Sequence, residues 1–157
     1  MPATLSDQNV RQKIINFLAQ TLADTYLLYV KTQNFHWNVI DERFFSLHKM
    51  FEEQYEALAA ATDDLAERIR ALNGKAPGSM RQFLELTSLD EDDNDLPADV
   101  MLQHLIEDHT AIAGRLRPLI PESQKYGDEG TGDLLIQRLR FHEKTAWMLR
   151  SHFVQER

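Results

Sequence analysis

Six histidines and a set of carboxylates carry whatever metal chemistry this chain has, because it contains no cysteine. Thiolate metal sites, disulfides and thiol nucleophiles are excluded together. Nitrogen and oxygen ligands favour iron, zinc or manganese over copper(I). The histidines are His36, His48, His104, His109, His142 and His152, and none has a glutamate three residues before it. The Glu-x-x-His arrangement that puts a carboxylate and an imidazole on one helix face of a di-iron bundle is therefore missing. A site enclosed within one bundle loses its support.

A different set remains on the second of the helices described below. Asp63 and Glu67 stand four residues apart, so both carboxylates project from one helix face. His48 precedes Asp63 by fifteen residues. At about 100° per residue, His48, Asp63 and Glu67 share an arc of roughly 100° that flanks the apolar stripe. The axial separation is about 22 Å, whereas a ligand sits about 2.0–2.2 Å from its ion. One ion cannot touch His48 and Asp63 of the same helix. An antiparallel pairing of this helix with its copy across a two-fold axis would bring residue i of one chain to residue j of the other. With the crossing near Glu56 and Ala57, His48 of one subunit meets Asp63 and Glu67 of its mate. Ala59, Ala60 and Ala66 are small enough to allow close approach. His36, before the Asn38–Asp41 corner, reaches the same point. Each dimer would then hold two equivalent sites of two imidazoles and two carboxylates. Zinc would fit the same ligands without redox chemistry.

The elements that must position these residues read as four long helices. Helix one, capped by Ser6 or Asp7, runs to about Asn38 with Ile14, Phe17, Leu18, Leu22 and Leu28 on its apolar stripe. Asp41 caps helix two, from about Glu42 to Leu72, and Asn73-Gly74 stops it. A loop, a short helix near Met80–Leu86 and an acidic run from Asp90 to Asp95 make a long crossover of the kind a two-plus-two bundle requires. Helix three starts near Pro97, a favoured first-turn residue, and Pro118 and Pro121 end it. Helix four runs from about Thr131 to Val154. No alternation long enough for a sheet is present. The fold class is all-α, a ferritin-like four-helix bundle with a short helix in the crossover.

A length of 157 residues suits one domain, residues 1–157, and composition is that of an ordinary globular chain at 43% hydrophobic and 27% charged. The N-terminus has no basic stretch followed by an apolar run, so it does not read as a signal peptide. No segment reaches the ~20 apolar residues of a membrane span. The expected location is the cytoplasm, without membrane partners. The net charge of -8 argues against nucleic acid as a main partner, since duplex binding relies on Lys and Arg at phosphates.

Asn34-Phe35-His36-Trp37-Asn38-Val39, Leu47-His48 and Asp63-Asp64-Leu65-Ala66-Glu67-Arg68-Ile69 resemble the two signature segments of the Dps family of mini-ferritins. The spacings match as well: twelve from His36 to His48, fifteen to Asp63, four to Glu67. The likeness extends through the crossover helix to His142-Glu143-Lys144 and Trp147-Met148-Leu149. The resemblance implies that His36, His48, Asp63 and Glu67 form an inter-subunit ferroxidase centre in a dodecameric shell. It implies oxidation of Fe(II), with hydrogen peroxide as the preferred oxidant, and storage of Fe(III) mineral. Acids at the places of Asp128, Glu129 and Asp133 line three-fold pores in that family. Acids at a helix N-terminus also complement its dipole, and the two roles are compatible.

Several residues have plain readings beside chemical ones. Trp37, next to His36, either catches a stray oxidising equivalent or simply packs. Glu52 lies on the ligand face as a lesser candidate for an outer ligand. His109 and His142 fall in apolar stripes and read as hydrogen-bonded core or interface histidines, His104 and His152 as exposed. Phe44-Phe45 reads as packing and Asp90–Asp95 as a solvated loop. The competing function is a DNA-compacting nucleoid protein. Family members that bind DNA often use Lys-rich tails, and the first ten residues here contain no Lys or Arg. DNA binding is expected to be weak or absent. A third reading, a shell that has lost its chemistry and serves as an adhesin or antigen, is opposed by the intact His/Asp/Glu set.

Overall fold

The structure, a computed structural model, describes residues 4–153. It contains five helices: α1 Gln8–Asn38, α2 Phe44–Ala71, α3 Met80–Leu86, α4 Ala98–Lys125 and α5 Glu129–Arg150. Among the described residues there is no strand. α1 and α2 form one antiparallel hairpin, α4 and α5 another, and the crossover carrying α3 runs along α1 between them.

Ion pairs record how the hairpins dock. Lys13, Asp24 and Lys31 of α1 meet Glu122, Arg115 and Asp108 of α4 at 2.9, 2.6 and 2.8 Å, so the numbers fall on one helix as they rise on the other. α1 and α4 are therefore antiparallel. Between the layers lie Leu18, Leu28, Phe35, Leu47, Phe51, Leu58, Leu65, Leu102, Leu105 and Leu135, all buried. Thr21, Thr25 and Thr32 also point inward, and each hydroxyl donates to the carbonyl four residues back, at 2.9, 2.7 and 2.7 Å. That bond removes the penalty of burying an unpaired hydroxyl.

Helix ends differ from the sequence reading in several places. Asp7 is the cap of α1, its carboxylate accepting from the Asn9 N–H at 2.8 Å. Asp41 does not cap α2. It turns the corner instead, accepting from the Arg43 N–H at 2.7 Å and from the Arg43 side chain at 2.8 Å, and α2 starts at Phe44. Pro118 and Pro121 do not end a helix: α4 continues through both to Lys125. Each proline removes a bond to the carbonyl four residues earlier. Both prolines are exposed, and so are Gly114 and Arg117, whose carbonyls are freed. Those carbonyls are on the solvent side of the helix, where water can bond them, while Leu116 and Ser123 on the other side stay buried. α5 begins at Glu129, two residues before the expected start, and ends at Arg150. Val154, the expected end, lies outside the described residues.

The crossover is fastened at both ends of α3. Ser79 and Gln82 make a reciprocal capping box at its start. Beyond it, buried Asp24 accepts from the Thr87 hydroxyl at 2.7 Å and the Ser88 N–H at 2.8 Å. The acidic run is not wholly solvated. Asp92 is half-buried, with one carboxylate oxygen 2.8 Å from His104 Nδ1 and 3.5 Å from Lys31 Nζ. That contact also leaves His104 half-buried rather than exposed, and His152 is half-buried too.

Candidate metal centre

The last turn of α1 carries His36 and the first turns of α2 carry His48. The corner between them is short and riveted: Arg43 binds Asp41 and also reaches Asp99, the first acid of α4, at 2.8 Å. The Arg43 guanidinium bonded to Asp41 holds that carboxyl down at about 2. The closed corner brings the two imidazoles into a parallel stack with centroids 3.8 Å apart and planes 13° from coplanar.

The stack is locked by two crossed hydrogen bonds. His36 Nδ1 lies 2.7 Å from the His48 carbonyl, and His48 Nδ1 lies 2.7 Å from the His36 carbonyl. A carbonyl can only accept, so both Nδ1 atoms carry the hydrogen. In the neutral tautomer that this bond selects, the lone pair is on Nε2. Among the described residues, neither Nε2 has a hydrogen-bond partner. Metal-ligating imidazoles commonly have their other nitrogen bonded to a carbonyl in this way, which fixes the tautomer and raises ligand basicity.

Asp63 and Glu67 lie farther along α2, both exposed, and the structure pairs neither with any described side chain. It therefore brings the two histidines together and leaves the two carboxylates apart from them. Among the described residues of one chain, no three His, Asp or Glu side chains gather closely enough to hold a metal. Glu52 is half-buried and pairs with Lys49 at 3.2 Å.

Sequence reasoning missed two neighbours of the stack. Phe44 lies flat against His48 at 5.0 Å, and Tyr55 meets His36 edge-on at 5.2 Å. Tyr55 stands seven residues after His48, two turns along one helix face, and that spacing could have flagged it. Phe44, Phe45, Trp37 and Ile40 are all exposed, Ile40 at 90%. Within the subunit, Phe45 and Trp37 are thus not core packing residues.

At the other end of α2, Asp128 caps α5. Its carboxylate accepts from the Thr131 N–H at 3.0 Å and from Arg68 at 2.6 Å, and it is 1% exposed. Of the three acids singled out for a pore, this one is already committed inside the subunit. Glu129 and Asp133 are exposed. In the core, His109 and His142 are fully buried, as their apolar surroundings suggested, and the structure shows that they bond to each other, with their Nδ1 atoms 2.8 Å apart. No described helix is long and apolar enough to cross a membrane.

Comparison with known proteins gives this arrangement a family. The ferritin-like domain matches residues 15–157. DNA protection during starvation protein 2 of Bacillus anthracis is 36% identical over 146 residues, covering 93% of this chain and 100% of that protein. The crystal structure of Dps from Staphylococcus aureus superposes with a TM-score of 0.89 at 34% identity, covering 92% of this chain and 97% of that one. A Dps protein from Vibrio cholerae O1, described as a member of a broad superfamily of ferritin-like diiron-carboxylate proteins, superposes with a TM-score of 0.89 at 31% identity, covering 97% of each chain. The chain belongs to the Dps family of ferritin-like proteins.

Proposed function

We propose that this chain oxidises Fe(II) at sites shared between two subunits, with hydrogen peroxide as oxidant, and stores the Fe(III) product as mineral inside a closed dodecameric shell. The observation that carries the reading is the locked pair of imidazoles, His36 and His48, each with a free Nε2 lone pair. Two nitrogen ligands alone make a weak iron site. Asp63 and Glu67 are exposed, unpaired and on the same helix, and a two-fold mate would supply them. Phe44, stacked on His48, and the side chains Phe45, Trp37 and Ile40, near the two histidines in sequence, are exposed and apolar, as expected of a surface that a second subunit covers.

Fe(II) is the substrate. Imidazole and carboxylate ligands suit it, and the carboxylates also tolerate the harder Fe(III) product. The Nδ1–carbonyl bonds hold both rings in one orientation, so iron binding costs little reorganisation. Consuming peroxide together with Fe(II) suppresses hydroxyl-radical formation. Zinc would occupy the same ligands and block turnover. Glu129 and Asp133 serve as the carboxylates that draw cations towards the interior. Trp37 is a secondary candidate for trapping stray oxidising equivalents.

The test mixes anaerobic Fe(II)-loaded protein with stoichiometric hydrogen peroxide and follows Fe(III) absorbance. The wild type runs beside a His48→Ala, Asp63→Ala double variant of confirmed assembly. Fast oxidation in the wild type and its loss in the variant are expected. Equal rates in the two would remove His48 and Asp63 as the ligands.

A further inference from the structure

We propose that Tyr55, backed by Tyr29 and Tyr26, is a one-electron relay serving the iron site through His36. The inference rests on the ferroxidase reading above. Its observation is a continuous ladder of rings. His36 meets Tyr55 at 5.2 Å, Tyr55 meets Tyr29 at 5.8 Å, and Tyr29 meets Tyr26 at 5.7 Å, every step edge-to-face. Tyr26 then stacks on Phe83 of α3 at 4.5 Å, where the oxidisable rings stop. All three tyrosines are half-buried. Trp37, although adjacent to His36 in sequence, is 64% exposed and makes no ring contact with it.

The chemistry supplies the reason for such a ladder. Peroxide is a two-electron oxidant and Fe(II) gives one electron. If peroxide meets a site holding a single Fe(II), the missing electron otherwise comes from whatever a hydroxyl radical strikes first. In the relay, the O–O bond breaks and its two oxygens take two electrons, one from Fe(II) and one from the Tyr55 phenol. They also take two protons, one from the phenol and one from solvent. The products are two waters, Fe(III) and a neutral tyrosyl radical. A second Fe(II) then returns one electron and solvent returns one proton, which restores the phenol. Tyr29 and Tyr26 let the radical move away from the iron between these steps, towards α3. A tyrosine side chain at neutral pH is a phenol, with a proton to give.

Wild-type protein carrying one Fe(II) per proposed site is mixed with one equivalent of hydrogen peroxide and freeze-quenched for electron paramagnetic resonance. Parallel samples contain a hydroxyl-radical spin trap. The wild type is expected to give a tyrosyl radical. Tyr55→Phe keeps the ring and its packing, and is expected to lose that signal and to release more trapped hydroxyl radical. Tyr29→Phe should keep the initial radical yield but shorten its lifetime, and Trp37→Phe should leave the tyrosyl signal unchanged. Wild-type protein grown on ring-deuterated tyrosine should show narrowed radical lines, which keeps the test decisive if a variant fails to assemble. Iron oxidation without a tyrosyl signal, or equal signals in the wild type and Tyr55→Phe, would overturn the relay alone. No iron oxidation by the wild type would overturn the ferroxidase reading and the relay with it.

Discussion

His109 and His142 share one hydrogen between their Nδ1 atoms and are cut off from water. Burial, and then the nearby positive charge of Arg138, lowers His109 to about 3. Burial holds His142 well below its ordinary range as well. Above about pH 6.5 both states of the chain keep these rings neutral, and their contribution to stability is complete. As pH falls from about 6.5, the unfolded chain takes protons that the folded chain refuses, so stability drops progressively towards pH 3 for His109 and in the same direction for His142. Asp41, held at about 2, keeps its contribution above about pH 3.8 and loses it only as pH falls from there towards 2. Urea unfolding between about pH 6.5 and 4.5 should therefore be steeper in the wild type than in a His109→Leu, His142→Leu variant. The same scale governs Arg68. It covers the buried Asp128 carboxylate, and Arg68→Ala leaves that charge unpaired. A loss of about 3 kcal/mol is expected, the low end for a broken buried pair because Arg68 is partly exposed. Gly130 reports on the same contact: a Cβ there would lie 2.8 Å from Arg68 Nη1. Gly130→Ala should push the guanidinium off Asp128 and lower the unfolding midpoint in the same direction.

At the scale of elements, α4 passes through two prolines. Its inward face stays packed along its length: Leu102, Leu105, Ile112 and Leu116 are buried, Leu119 and Ile120 partly so, and Ser123 is buried beyond both prolines. Tertiary packing of that face outweighs a local cost of about 3 kcal/mol for an interior proline. Pro118→Ala supplies the N–H that can bond the Gly114 carbonyl four residues earlier. It should raise the thermal midpoint, by the equivalent of at least about 1 kcal/mol, as read by calorimetry. An unchanged or lower midpoint would mean that the helix is already relaxed around the ring, or that proline's restriction of the unfolded chain matters more.

For the whole molecule, charge sets the partners. The chain carries 25 acidic and 17 basic residues, so any assembly of copies repels a polyanion. Gel shifts of duplex DNA should show no retardation at about 0.15 M salt. Mg2+ should restore some binding by bridging acids to phosphates. Retardation without a divalent ion would return the DNA-compacting reading to contention.

The sequence by itself determined the helices, because apolar residues recur every three or four positions over long stretches. It also supplied the proposed ligand types and the limit that one ion cannot touch both His48 and Asp63 of the same helix, since fifteen residues of helix outreach any metal bond. Only the tertiary structure decided how α1 and α2 meet at their corner. That apposition stacks His36 on His48 and pins each Nδ1 to the opposite carbonyl, a result that no local propensity encodes. It also decided that Tyr55, rather than Trp37, faces the His36 ring, and that Asp128 is spent on Arg68. Each of these depends on contacts between residues distant along the chain, or on which face of a helix its neighbours cover. Periodicity fixes the face a residue occupies, and packing alone chooses what lies against it.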